Sequence, residues 1–116
     1  MRFMLMFKGN RPPEPDEVAC KQHLPEMKKL MTELKKKGVV QFTEGLEGPD
    51  KGARVRLNGS KYTVVDGPFA EAKELIAGVC MVNVGSKQEA MDLARRFLEI
   101  AGGGESEIRQ VIEVHE

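Results

Sequence analysis

Apolar positions along the chain fall into two kinds of block: short unbroken runs and longer stripes of helical period. Phe3-Met4-Leu5-Met6-Phe7 is an unbroken run, which suits a short strand covered on both faces. Gly9 to Pro15 breaks regular structure with one Asn, three Pro and a Gly. Asp16 is placed to cap a short helical segment carrying Val18 and Ala19. Met27, Leu30, Met31 and Leu34 then recur at i, i+3, i+4 and i+7, one apolar stripe of a helix that starts at Pro25. Lys28, Lys29, Lys35, Lys36 and Lys37 occupy mostly the other side and read as a solvated face. The last three complement the dipole at the helix end, and Gly38 is its left-handed cap.

Val39 to Phe42 predicts a second strand, and residues 45–52 a loop. Ala53 to Leu57 alternates with period two, and Asn58-Gly59 is a strong hairpin signal leading to a return strand over Ser60 to Val65. Pairing Leu57 with Ser60 places Tyr62 opposite Val55. Ala70 to Leu75 reads as a short helical turn or loop. Gly78 to Val84 is a strand with Val79-Cys80-Met81-Val82 unbroken at its centre. Ser86 with Glu89 fits a capping box, opening a helix that buries Ala90, Met91, Ala94, Phe97 and Leu98. Gly102-Gly103-Gly104 stops it, and Ile108 to Val114 is a last strand.

The order β-α-β, hairpin, β-α-β predicts an α+β fold: a ferredoxin-like split βαβ with an inserted β-hairpin, filling residues 1–116 as a single domain. Two helices cover only one face of such a sheet. The apolar strands call for cover on the other face, and a second copy of the chain, sheet against sheet, is the simplest source. The expectation is a homodimer, a dimeric α+β barrel.

Composition refines this picture. Hydrophobic residues make up 41% and charged residues 31% of 116, ordinary for a globular domain of a size that buries a core without staples. There is one Tyr and no Trp, while seven Met supply adaptable apolar volume. No run approaches the roughly 18 apolar residues of a membrane span. The opening apolar run is too short for a signal peptide, and Cys20 and Cys80 make neither a disulfide framework nor a zinc site. A cytoplasmic protein with no membrane partner is the expectation. Eighteen basic and eighteen acidic side chains give zero net charge, which argues against a nucleic-acid partner. That zero conceals a split: residues 1–63 hold 13 basic and 8 acidic groups, and residues 64–116 hold 5 and 10.

Few residues stand out for chemistry. Asp66 ends a strand where a tight turn begins, so its carboxylate either caps that turn or projects into a cleft as a base or ligand anchor. Glu71 and Lys73 follow in a polar cluster that is either a solvated ion-paired segment or the edge of a pocket. Arg54 and Arg56 share one strand face, a geometry for holding a carboxylate or phosphate or for pairing with acids on a neighbouring strand. His23 lies in an irregular region, with a surface or capping role as its plain reading, and Cys80 reads as a small hydrophobe. No metal cluster, Ser-His-Asp order or phosphate-binding glycine loop is evident.

The stretch Val64-Val65-Asp66-Gly67-Pro68-Phe69-Ala70-Glu71-Ala72-Lys73-Glu74-Leu75-Ile76-Ala77-Gly78 resembles the signature of the DGPF-domain, or YCII-related, family. The likeness extends to Met1-Arg2-Phe3-Met4, the Gly52 to Arg56 strand, the Ser86 to Ala94 helix start and Glu107 to Val111. It implies the dimeric fold above and a cleft near the Asp66-Gly67-Pro68-Phe69 motif. An enzymatic role is inferred for the superfamily from its likeness to muconolactone isomerases, and some relatives are fused to or encoded beside sigma factors.

The YCII branch also suggests a His–Asp pair, which would make His23 a catalytic candidate beside Asp66. Here His23 sits about one turn early, with Pro25 after it, and the position of the partner Asp reads Phe97-Leu98-Glu99, so the pair is incomplete. The chain also lacks aromatics that the family often carries near Leu30, Val79, Cys80 and Met91.

Two functions follow from the sequence. One is a small enzyme of the isomerase, lyase or dehydratase kind, needing no cofactor. Asp66 would move a proton, and Arg54, Arg56, Glu71 and Lys73 would line the site of a small anionic molecule. The other is a non-catalytic small-ligand-binding or regulatory accessory module.

Overall fold

The computed structural model describes residues 1–9, 24–66 and 75–114, Asp66 in its backbone alone. Its elements are β1 (Arg2–Gly9), α1 (Pro25–Lys36), β2 (Val40–Gly45), a 3-10 turn (Pro49–Lys51), β3 (Ala53–Asn58), β4 (Lys61–Asp66), β5 (Leu75–Asn83), α2 (Lys87–Ala101) and β6 (Glu105–Gln110). Four strands form one antiparallel sheet in the order β2-β5-β1-β6, and β3 pairs with β4 in a sheet of its own. With the hairpin set aside, this is the ferredoxin-like arrangement that the element order predicts.

The two apolar runs become the two central strands. Phe3 faces Val82 and Leu5 faces Cys80 across the β1–β5 ladder. These four are the largest fully buried side chains. They pack under Leu30 and Leu34 of α1 and Ala90, Leu93, Ala94 and Phe97 of α2. Burial of this kind stabilises by about 25 cal/mol per Å² of apolar surface, so the centre of the sheet dominates the energetics. The alternate residues Met4, Met6 and Val79 point away from the helices and remain half-buried.

Both helices end as their sequences require. Pro25 opens α1, and Gly38 takes φ +76 while the Val39 N–H donates to the Leu34 carbonyl at 2.9 Å. At α2 the Ser86 Oγ accepts from the Glu89 N–H at 3.2 Å, and the Glu89 carboxylate accepts from the Gly85 N–H at 3.0 Å. The return bond of the capping box therefore reaches one residue further back than usual. Gly102 at φ +91 caps the other end, with the Gly103 N–H donating to the Leu98 carbonyl.

Several boundaries differ from the sequence reading. The hairpin turn is Gly59-Ser60, with Asn58 paired to Lys61. Gly59 has φ +65 and no non-glycine residue has positive φ, so the glycine takes the first central position of a II′-type turn. The register moves by two residues: Leu57 faces Tyr62, and Val55 faces Val64 rather than Tyr62. A shift of two preserves each residue's face. The last strand spans Glu105–Gln110 rather than starting at Ile108, because it pairs with β1 from Lys8 to Phe3. On α2, Leu93 is buried while Met91 is 43% exposed and Leu98 half-buried. The apolar arc is thus rotated toward Leu93, the residue that meets the sheet. Leu75 belongs to β5, not to a helical turn. The Asp16 segment and residues 70–74 lie outside the described residues.

Two bulges shape the sheet. Phe7 pairs with Gly78 and Lys8 with Ile76, so Ala77 is an extra residue in β5. Val40 pairs with Val82 and Phe42 with Met81, so Gln41 is an extra residue in β2. In a regular strand Val40 and Phe42 would share a face. The Gln41 bulge sends Phe42 to the face away from the helices and brings Thr43 inward beside Cys80.

The rotated arc predicts unequal effects on α2. Leu93→Ala should cost about 2–5 kcal/mol in urea unfolding, and Met91→Ala about 0.5 kcal/mol or less. Equal losses would return the arc to the position read from sequence.

Candidate functional site

One end of the helix layer is open. There a cleft of about 610 Å³ lies between α1, the end of α2 and the sheet. That volume suits a metabolite-sized molecule. The Phe7 and Phe97 rings meet edge to face at 6.1 Å and give the cleft an apolar wall, which Met27 and Met31 extend along α1. The opposite side is sheet backbone, from Thr43 to Gly45 of β2 and from Ala77 to Cys80 of β5. Gly78 is close-packed here: a Cβ on it would lie 3.1 Å from the Glu44 carbonyl oxygen. The Ala77 bulge borders the same wall, in keeping with the tendency of bulges to sit beside functional sites.

The polar groups come from two sources. Lys28, Thr32 and Lys35 recur at i, i+4 and i+7 along α1, beside the Met27–Met31 line, and all three line the cleft. The ion pairs of the described residues leave Lys28 and Lys35 out, so cationic groups stand at the rim. Lys8 also lines the cleft, but its ammonium lies 3.0 Å from the Glu107 carboxylate. Lys8 and, next, Arg109 hold that carboxylate below its ordinary range.

Cys80 is the buried nucleophile candidate. Burial pushes its thiol up to about 11, opposed in part by a hydrogen bond with Thr43 and by the charge of Lys35. At neutral pH Cys80 is a protonated thiol, as the sequence reading of a small hydrophobe implies.

The residues singled out from sequence are distributed unevenly. Arg54 and Arg56 share one face of the hairpin, opposite Val65 and Thr63. Both are exposed, and neither is among the described residues that line the cleft. Asp66 is the last residue of β4, its backbone paired with Ala53. Its side chain, and all of His23, Glu71 and Lys73, lie outside the described residues. Sequence reasoning passed over Lys28, Thr32 and Lys35. Their shared spacing was visible, but only the tertiary fold shows that this flank of α1 borders an opening.

The raised thiol predicts slow alkylation. In a Cys20→Ser background, the rate with a thiolate-selective reagent should rise with pH to a half-point near 11, above the 9.0 of an ordinary thiol. At pH 8 this means a rate about 100-fold below that of an exposed cysteine. The same shift has a stability sign. A proton held more tightly in the folded state leaves stability intact below the unfolded value near 9, and stability declines as pH rises through 9 toward 11.

No curated protein matches the chain in sequence. The YCII-related domain matches residues 1–115, all but the last residue, so the chain belongs to the YCII-related domain family.

Proposed function

We propose that the cleft takes a small organic anion with an apolar body, and that Asp66 transfers a proton on it in a cofactor-independent reaction of the isomerase, lyase or dehydratase kind. The observation that carries this reading is the cleft itself: an apolar wall of Phe7, Phe97, Met27 and Met31 faces a rim with Lys28 and Lys35. An anion there gains charge-assisted contacts at the mouth, while the apolar body leaves water. β5, which follows the motif in the sequence, begins at Leu75, and its residues 77–80 form the cleft's sheet wall. This closeness along the chain supports a place for the motif beside the cleft. Arg54 and Arg56 retain a part only if the hairpin approaches the ligand.

One observation favours the non-catalytic alternative. The thiol on the described wall is held protonated, so no ready nucleophile stands there and the chemistry would rest on Asp66.

We also propose that a second copy covers the free face of the sheet. Phe42 is 40% exposed there, beside the half-buried Met4, Met6 and Val79. Glu44, Glu107 and Arg109 border them in the strand register. This apolar centre with a charged margin has the composition of a subunit interface.

A thermal-shift survey of small carboxylates should find a class that raises Tm. Saturation at 100-fold the Kd adds about 2.7 kcal/mol. Lys28→Ala with Lys35→Ala should abolish the shift. Asp66→Asn should keep the shift and lose turnover of the identified compound. Turnover unchanged in Asp66→Asn would remove the proton-transfer role, and a shift unchanged in the lysine variant would remove the cleft as the binding site. Sedimentation should show a dimer that Met6→Asp dissociates.

A further inference from the structure

Thr43 owes its place on the cleft wall to an irregularity of the sheet. The extra residue at Gln41 turns Phe42 away and brings Thr43 in, so that Thr43 pairs with Cys80 across the β2–β5 ladder. Both residues line the cleft, Thr43 half-buried and Cys80 buried. A bulge gives up pairing at the extra residue, and bulges recur beside functional sites because they re-aim a side chain. Here the bulge sets a hydroxyl, in place of a phenyl ring, against the Cys80 thiol.

The two ends of the cleft differ in chemistry. From the Gly45–Gly78 pair the ladder runs inward to Thr43–Cys80, two residues or about 7 Å along the strand. α1 runs in the same direction. It leads into β2 through Val39, whose carbonyl accepts from the Asn83 N–H at 2.7 Å. Lys35, in the last turn of α1, therefore lies toward the inner end. Lys28 is seven residues earlier, about 10 Å back along the axis and nearer the opening. At the inner end the charge of Lys35 acts on the Cys80 thiol, and Thr43 is the thiol's hydrogen-bond partner. At the outer end Phe7 faces Gly78 and its ring meets that of Phe97.

We infer that Lys35 and Thr43 form the anion subsite of the cleft, so that a ligand binds with its charged group above Cys80 and its apolar body toward Phe7 and Phe97. This subsite rests on the cleft's taking a small organic anion, as proposed above, and fixes which way round that anion lies. It also narrows the class. About 7 Å separates the subsite from the level of Phe7, so the body is one ring or a short chain carrying a single carboxylate or comparable group.

The donors are complementary. Lys35 brings a compact cation on a flexible stem. The Cys80 thiol keeps its proton at neutral pH, so its S–H donates to the Thr43 hydroxyl oxygen. The Thr43 O–H is then left to donate to the ligand. Cys80 is a positioning residue that acts through Thr43. The low polarity of the wall strengthens each of these contacts.

The test compares benzoate with its uncharged counterpart benzamide, each titrated into the unmodified protein and followed by amide chemical shifts. Both should move Phe7 and Phe97, and benzoate alone should strongly move Thr43 and Cys80. Lys35→Ala and Thr43→Val should each raise the benzoate Kd about tenfold or more, as loss of a hydrogen bond to a charged group does. Lys28→Ala should raise it about threefold, the effect of a charge at an exposed mouth. Thr43→Ser should restore the affinity that Thr43→Val loses. Cys80→Ala should weaken benzoate and Cys80→Ser should rescue it, a contrast that a purely packing role for the thiol does not produce.

Equal losses in the two single-lysine variants, or a benzoate Kd indifferent to Thr43→Val, would overturn the subsite and leave the cleft reading standing. Benzoate and benzamide shifting the same amides by the same amounts would do likewise. A benzoate titration that moves no amide of the cleft would overturn the subsite and the cleft reading together. If Thr43→Val fails to fold, the two titrations of the unmodified protein decide alone.

Discussion

The antiparallel ladder between β1 and β5 is the contact on which the rest of the structure depends. It joins the two most apolar segments of the chain at the centre of the sheet, where Phe3, Leu5, Cys80 and Val82 are all but removed from solvent. The other strands of its sheet and both helices are placed relative to that ladder. β2 and β6 flank it, and both helices cross the side on which those four side chains project. Because side chains alternate along a strand, one ladder necessarily creates two surfaces. The helices bury the first. The second carries Met4, Met6 and Val79 half-buried and Met81 buried.

The cleft is a consequence of the same geometry. The helices cover the ladder's centre but leave the end at Phe7, Gly78 and Thr43 open. Apolar rings and thioethers line it, and a helix flank carries Lys28, Thr32 and Lys35 past its mouth. The environment that makes the wall dry also raises the Cys80 thiol. Low polarity there favours recognition of an apolar body and disfavours thiolate chemistry. In the function proposed above, proton transfer falls to the carboxylate of Asp66.

The β3–β4 hairpin departs from this economy of burial. Its pairing is regular, yet Val55, Leu57, Tyr62 and Val64 on its apolar face stay exposed among the described residues. A ribbon ordered by two strands alone is hard to reconcile with a free existence in water. Its basic character is the local form of the charge split between the chain's halves. Zero net charge for the whole chain conceals this local excess of basic groups on the hairpin.

Much of the architecture was legible in the residues. Unbroken apolar runs named the central strands, and the Met27–Leu34 stripe, the Ser86–Glu89 box and the terminal glycines named both helices. The motif from Val64 to Gly78 pointed to the family. These signals are local, set by backbone preference and by periodicity. What the tertiary structure decided lay in the pairing. The extra residue at Gln41 reverses the faces of Phe42 and Thr43, sending one to the free face and the other to the cleft. Leu93 replaces Met91 in the core because the sheet meets α2 on that side. Lys28 and Lys35, ordinary surface lysines in the sequence, border a cleft because that flank of α1 faces the opening between α1, the end of α2 and the sheet. Local pattern tells a strand from a helix, but a bulge or a helix rotation is settled by which neighbour it must fit, and that neighbour lies far away along the chain.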